Sequence, residues 1–208
     1  MRKRHLISTL LVALAASVAP LVQAQPVAPD AFVKQLSTDV MDAVKADKAI
    51  QGGDTSRVRT LVDSKVMPHV DFERMTAMSV GPQWRSATAE QRKRMLEEFK
   101  TLLVNTYSGA LTQVKDQQII IKPLRNAAAD GDLVVRSEVR GRGEPIQLDY
   151  RLEKAGDGWK IYDVNVGGFW VVEAYKGQFA KDLSAGGLDA LITRLSDKNK
   201  ARSAAPKG

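Results

Sequence analysis

Apolar side chains recur at helical intervals along both flanks of this chain and alternate in between. Phe32, Val33, Leu36, Val40 and Val44 fall on one face of a helix opened by Pro29-Asp30 and stopped by Gly52-Gly53. Asp54 or Thr55 can cap a second helix carrying Val58, Leu61, Val62 and Val66, which Pro68 ends. Asp71 can cap a third over residues 72–79, stopped by Gly81-Pro82. The strongest helical pattern comes next. Thr88 and Gln91 have capping-box spacing. Behind them Met95, Phe99, Leu102, Leu103, Thr106, Tyr107, Ala110, Leu111 and Val114 predict a helix to about Lys115.

The period then changes. Residues 118–124 are rich in isoleucine, and the turn signal Asp130-Gly131 separates them from a strand over 133–140. Ile146, Leu148, Tyr150 and Leu152 alternate with Gln147, Asp149, Arg151 and Glu153, the pattern of a strand apolar on one face and wet on the other. Gly156-Asp157-Gly158 turns the chain into a last strand over 159–166. There both parities are apolar, Trp159 and Ile161 against Tyr162, Val164 and Val166, which predicts cover on both faces. Gly167-Gly168 ends the sheet. Phe169, Val172, Phe179 and Leu183 fit a helix that Gly186-Gly187 separates from a final one with Leu188, Leu191, Ile192 and Leu195. The predicted fold class is α+β, a curved antiparallel sheet of about four strands packed against several helices. The space between the layers is either filled by side chains or left as an apolar cavity, and periodicity does not decide which.

The N-terminus sets the compartment. Arg2-Lys3-Arg4 precedes an apolar run over 6–19, Pro20 breaks it, and Val22-Gln23-Ala24 offers small residues around a cleavage site. This is the layout of a secretory signal peptide cleaved after Ala24. A membrane anchor is the rival, but the run is short for spanning. The expected organisation is therefore a signal peptide at 1–24, one domain at 25–197 with residues 30–85 as a candidate helical subdomain, and a flexible basic tail at 198–208. Removing the leader lowers the formal charge from +7 to +4 and takes His5. The remaining basic residues are scattered, not interleaved with aromatics, so a nucleic-acid partner has little support. The chain has no cysteine, which excludes disulfides, thiolate metal sites, a cysteine nucleophile and a lipoprotein anchor.

Catalytic chemistry is sparse. His69 is the one histidine outside the leader, and the chain has no Gly-x-Ser-x-Gly elbow. It reads as a loop residue. No cluster has metal-ligand spacing. Gly141-Arg142-Gly143 and Gly156-Asp157-Gly158 lie in hairpins, not before helices, so they are turns and not phosphate loops. Asp149 and Asp163 could form an acid–base pair in a sheet cavity. On its polar face Asp149 reads instead as a solvent-exposed partner of Arg or Lys. Asp163, in an apolar strand, needs a turn amide or an Arg side chain. Met75, Met78, Val80 and Trp84 form either plain core or an adaptable apolar surface.

One ordered set of signatures stands out. Pro68-His69-Val70-Asp71-Phe72 precedes Gly81-Pro82-Gln83-Trp84-Arg85, then Thr88-Ala89-Glu90-Gln91, Phe99 and Thr106-Tyr107. Tyr150-Arg151-Leu152 and the run Gly158-Trp159-Lys160-Ile161-Tyr162-Asp163-Val164 follow, then Gly167, Tyr175-Lys176, Phe179 and Gly186-Gly187-Leu188. In this order, over about residues 30–196 and behind a signal peptide, they resemble the MlaC family, also called the toluene-tolerance or ABC-transporter auxiliary family. Gly168-Phe169-Trp170 departs from the smaller or aliphatic residues expected there, which bears on the shape of a pocket mouth.

The resemblance implies a monomeric periplasmic carrier, not an enzyme, with no cofactor and a bound glycerophospholipid. It further implies partners on both sides: an outer-membrane lipoprotein–porin complex, and an inner-membrane ABC transporter with an MCE-domain subunit. The task implied is maintenance of outer-membrane lipid asymmetry. With the family architecture, periodicity nominates Ile146, Leu148, Tyr150, Leu152, Val164 and Val166 from the sheet, and Met78, Phe99, Leu103 and Tyr107 from the helices, as the lipid-binding set. Two competing readings stay open: a cone-fold isomerase using Asp163 or Tyr150, and a periplasmic chaperone or interaction protein with a filled core.

Overall fold

Carboxylate and hydroxyl caps decide where most helices begin. The computed structural model describes residues 27–124 and 133–204. The expected leader at 1–24 lies outside them, as does the Asp130-Gly131 turn. Helix α1 (Pro29–Ala46) carries Val33 and Val44 on its buried face. It stops earlier than Gly52 because Asp47 takes an extended conformation and accepts from the Ala49 and Ile50 amides, opening α2 (Lys48–Gln51). Asp54 does the same for α3 (Thr55–Leu61) and Asp71 for α4 (Phe72–Val80). A π-helical turn (Val62–Val66) and a 3-10 turn (Met67–His69) join those two. After the short α5 (Gln83–Ser86), the Thr88–Gln91 capping box is formed in both directions and opens α6 (Ala89–Leu111).

The sheet is an antiparallel meander. Its strands are β1 (Gln118–Ile121), β2 (Leu133–Val135), β3 (Ser137–Arg140), β4 (Ile146–Ala155), β5 (Gly158–Val166) and β6 (Phe169–Trp170). They lie in the order β1-β3-β4-β5-β6, with β2 also on β4. The six strands exceed the expected four for two reasons. The strand over 133–140 is interrupted at Arg136, although its register against β4 carries through, from Val135 opposite Tyr150 to Glu138 opposite Gln147. Phe169-Trp170, expected to be helical, first pairs with β5, and α7 (Val171–Ala204) begins after it.

The doubled apolar parity of β5 has a local cause. Arg151 sits opposite Asp163 but Leu152 sits opposite Ile161, so Tyr162 is an extra residue, a β-bulge. The bulge brings Trp159 and Ile161 onto the same face as Val164 and Val166. One face is therefore almost wholly apolar, and the strand is covered on both faces as expected, since Tyr162, Asp163 and Asn165 are buried on the other side.

Three apolar clusters hold the elements. Phe72 and Met75 of α4, Phe99 and Leu102 of α6, and Tyr175, Phe179, Leu191 and Ile192 of α7 form the largest. Val33 packs with Val135, Tyr150, Leu152 and Ile161 on the apolar face of the sheet. Val44, Ile50, Val58, Leu61 and Val104 join α1 to α3 and α6. Val70 and Val164 touch both of the first two. Helix α7 is broken where the glycines predicted it, at Gly186 (φ −162°) and Gly187 (φ 67°). The expected tail at 198–208 is corrected in part: the helix continues through Ala204, because Asn199 is buried and its Nδ2 donates to the Glu98 carbonyl (2.9 Å) and carboxylate (2.7 Å).

Candidate functional site

The apolar sheet face, called inner here, is covered unevenly, and that unevenness defines the site. Helix α1 crosses it obliquely. The Trp159 Nε1 donates to the Val27 carbonyl at one end (2.8 Å), and Lys45 Nζ donates to the Gln117 carbonyl at the other (3.3 Å). Midway, the Ser37 and Tyr150 hydroxyls meet at 3.2 Å. Phe32, Val33 and Leu36 of α1 pack onto Tyr150, Leu152, Ile161 and their neighbours. The corner beyond α1 is left partly open. There Leu148 pairs with Val166 and Val166 with Phe169, one inward-facing row across three strands. Leu148 and Val166 are half-buried, while Ile146 is 53% and Phe169 75% exposed.

The nominated residues divide three ways. Leu148, Tyr150, Leu152 and Val164 come together in the sheet cluster, and Val166 shares their face by register. Phe99 is enclosed by the rings of Phe72, Tyr175 and Phe179 at 5.7, 5.0 and 5.3 Å, and Leu103 packs, half-buried, against that helical cluster. Val164 bridges the two groups. Met78, Tyr107 and Ile146 stand outside both clusters, each more than a third exposed. Phe32, Leu36 and Val70, not nominated, border the same seam. The helical period of α1 marked Phe32 and Leu36 as buried, but nothing in the period said against what. Met75, Val80 and Trp84 are core, leaving Met78 as the outward member of that group.

The opposite, outer face is polar yet largely dry. Asp149 was expected in solvent beside Arg or Lys; it is 3% exposed and accepts instead from the Ser137 amide (3.0 Å) and the Gln147 side chain. It sits where the strand opposite is interrupted at Arg136, and the Ser137 amide next to that break turns to its carboxylate. Asp163 is fully buried and has both kinds of partner expected of it. Its Oδ2 accepts from Arg151 (2.9 Å), and its Oδ1 accepts from the amides of Val164 (2.9 Å) and Val172 (3.0 Å). Burial raises the Asp163 carboxyl above its ordinary range, against the pull of the two amides and Arg151. Arg151 also lies 4.1 Å from the Trp170 ring centroid, and Arg74 lies 3.7 Å from that of Tyr162 while pairing with Glu153. On the inner face, burial pushes the Tyr150 phenol up to about 12, with the Ser37 and Ser137 hydroxyls opposing. His69 meets Phe32 edge-on at 5.6 Å, as a loop packing residue does.

This arrangement can cover an apolar molecule along a sheet face. Its carboxylates are occupied by structural donors and are not opposed across an open space. A family model described as "MlaC protein" matches residues 34–197. The chain is 25% identical over 171 residues to the intermembrane phospholipid transport system binding protein MlaC of Haemophilus influenzae, covering 80% of each chain. It is 30% identical over 183 residues to the toluene tolerance protein ttg2D of Pseudomonas putida, covering 86% of this chain and 83% of that one. Among solved structures, a phospholipid-binding protein from Ralstonia solanacearum, in complex with a phospholipid, superposes with a TM-score of 0.80 at 43% identity. That match covers 86% of this chain and 99% of the other. The pattern of signatures, the meander with its helical cover and the matched length agree, and the chain belongs to the MlaC family.

Proposed function

We propose that this protein binds glycerophospholipid and carries it through the periplasm between an outer-membrane lipoprotein–porin complex and an inner-membrane ABC transporter with an MCE-domain subunit. The observation that carries the reading is the inner sheet face, apolar along its length and left open at the Leu148–Val166 corner. Support comes also from the phospholipid in the Ralstonia solanacearum relative and the printed names of the other relatives. The acyl chains would lie along the seam, with Leu148, Val164, Val166 and Leu103 as walls and Tyr150, Leu152 and Phe99 as the packed layer behind. Met78, Tyr107 and Ile146, which stand outside both clusters, would at most border it.

Energetics favours a carrier. Each methylene moved into water costs about 0.8 kcal/mol, so a two-chain lipid of roughly thirty methylenes faces a barrier on the order of 20 kcal/mol. A carrier must cover the chains and has no need of reactive groups. The site suits that: Asp163 is tied to Arg151 and two amides, and the Tyr150 phenol holds its proton through the neutral range. Native mass spectrometry of the purified mature protein, followed by organic extraction, tests the reading. Near-stoichiometric glycerophospholipid is expected. A folded protein that holds none, and takes none from vesicles, refutes it in favour of the interaction protein.

A further inference from the structure

Phe169 is the most exposed large apolar side chain among the described residues, and the backbone builds that exposure. Gly167 and Gly168 both have positive φ (60° and 95°), as a two-residue hairpin turn between twisted strands requires. The Gly167 amide donates to the Gln147 carbonyl (2.9 Å) and the Gly168 amide to Asn165 Oδ1 (2.9 Å). The next residue, Trp170, is pinned over Arg151 on the outer face. Phe169 is thus held out on a rigid turn, on the inner side, in one row with Val166 and Leu148. Ile146 extends the same apolar surface.

The antiparallel register brings two other segments to this end of the sheet. One is the turn between β3 and β4, with Arg140, Arg142 and Glu144. The other is the junction of α6 and β1, with Lys115 and Asp116. The Arg142 side chain is 93% exposed, and its 3.2 Å contact with Asp116 joins two solvated groups that hold each other weakly. Arg140 is 61% exposed and shares the nearly buried Glu138 with Lys122. Basic groups thus outnumber acidic ones around an exposed aromatic and an exposed aliphatic side chain. That combination matches the interface of a bilayer with anionic headgroups, where apolar tips enter and cations meet phosphate.

The geometry points to this corner as a membrane-docking tip. Phe169 and Ile146 enter the headgroup layer of an anionic phospholipid bilayer, while Arg140, Arg142 and Lys115 lie over its phosphates. The open corner of the inner face then meets the bilayer where an acyl chain would leave it. The purpose of the contact rests on the carrier reading, but the contact itself is testable apart from it.

The protein as purified is co-sedimented with vesicles of phosphatidylcholine, with and without phosphatidylglycerol. Binding is expected with phosphatidylglycerol, weakened roughly tenfold by F169S and by the pair R140E/R142E, and reduced by salt. In F169W the added indole emission is expected to shift to the blue and to be quenched by brominated acyl chains. The lipid co-purifying with F169S is expected at wild-type stoichiometry. F169S that sediments like wild type, or F169W left unquenched, overturns the proposal. So does F169S that has lost its lipid but still binds vesicles, since Phe169 is then a wall of the cargo site. A wild-type protein that carries lipid but ignores phosphatidylglycerol vesicles overturns docking and leaves the carrier. One that docks through Phe169 but carries no lipid upholds docking and removes the carrier.

Discussion

Replacing Asp163 with Ala should cost this protein about 3 kcal/mol, and the figure can be built from its partners. Asp163 has no exposed surface, and its Oδ1 is the acceptor for Val172, the second residue of α7. Truncation orphans a buried amide at a helix N-terminus, a loss of about 1–3 kcal/mol. It also removes a carboxylate from the positive end of that helix. Arg151 loses its partner too, but its side chain is 26% exposed and keeps the Trp170 ring, so this part amounts to about 1 kcal/mol. Asp163→Asn keeps an Oδ1 for both amides and should cost about half as much. With a urea slope of about 2 kcal/mol per molar, Asp163→Ala moves the unfolding midpoint down by about 1.5 M and Asp163→Asn by about half that. Equilibrium urea unfolding followed by far-UV circular dichroism reads both. Asp163→Ala within about 0.5 kcal/mol of wild type would falsify the claim that this carboxylate ties α7 to the sheet.

Four more outcomes follow from the same geometry. Leu148→Asp puts a carboxylate on the inner face beside Val166 and should abolish co-purified phospholipid in native mass spectra while the fold survives; retained lipid at wild-type stoichiometry removes Leu148 from the site. The folded Tyr150 phenol titrates near 12, so the unfolded chain gives up its phenolic proton first. The stability that Tyr150 contributes is thus fully present below about pH 10 and falls by about 2–3 kcal/mol as pH climbs toward 12. Tyr150→Phe should lack that share of the alkaline loss when both are unfolded in urea across this range. Gly187 has φ 67° and ψ −160°, with only Gln83 Oε1 near a new Cβ at 3.5 Å, so Gly187→Ala should cost about 1–3 kcal/mol through backbone strain and not through collision. Gly177→Ala, on the same helix with open space around it, should stabilise by about 0.8 kcal/mol, and thermal melts of both glycine variants check the two signs.

Local chemistry was the most legible part of this sequence. The Thr88–Gln91 box, the Asp54 and Asp71 caps, the glycine break in α7 and the partners of Asp163 are decided by groups a few residues apart or by the needs of one buried charge. What the sequence hid depends on register. A single extra residue at Tyr162 reverses which side chains of β5 share a face, and no periodicity announces it. Asp149 looked wet because alternation assigns a face, not the depth of what covers it. The alternating residues of β4 did mark the inner face. Which of them line open space depends on the path of α1, fixed by Trp159, Tyr150 and Gln117 far along the chain. That is why Ile146 proved to stand at the edge, while Phe99 is enclosed by rings that α4 and α7 bring from elsewhere in the chain.

The sheet is fastened from behind. Arg151, Asp163, Trp170, Arg74, Tyr162 and Glu153 couple neighbouring strands and the starts of α4 and α7 entirely on the outer side. None of these ties passes through the inner layer. On the carrier reading, this separates two free energies that would otherwise be linked. Filling or emptying the seam would change how much of Leu148, Val164 and Val166 meets water and would leave these outer polar ties as they were. The sheet would then act as a fixed bench, crossed by α1 and the residue Val27 before it on three hydrogen bonds and a line of apolar contacts.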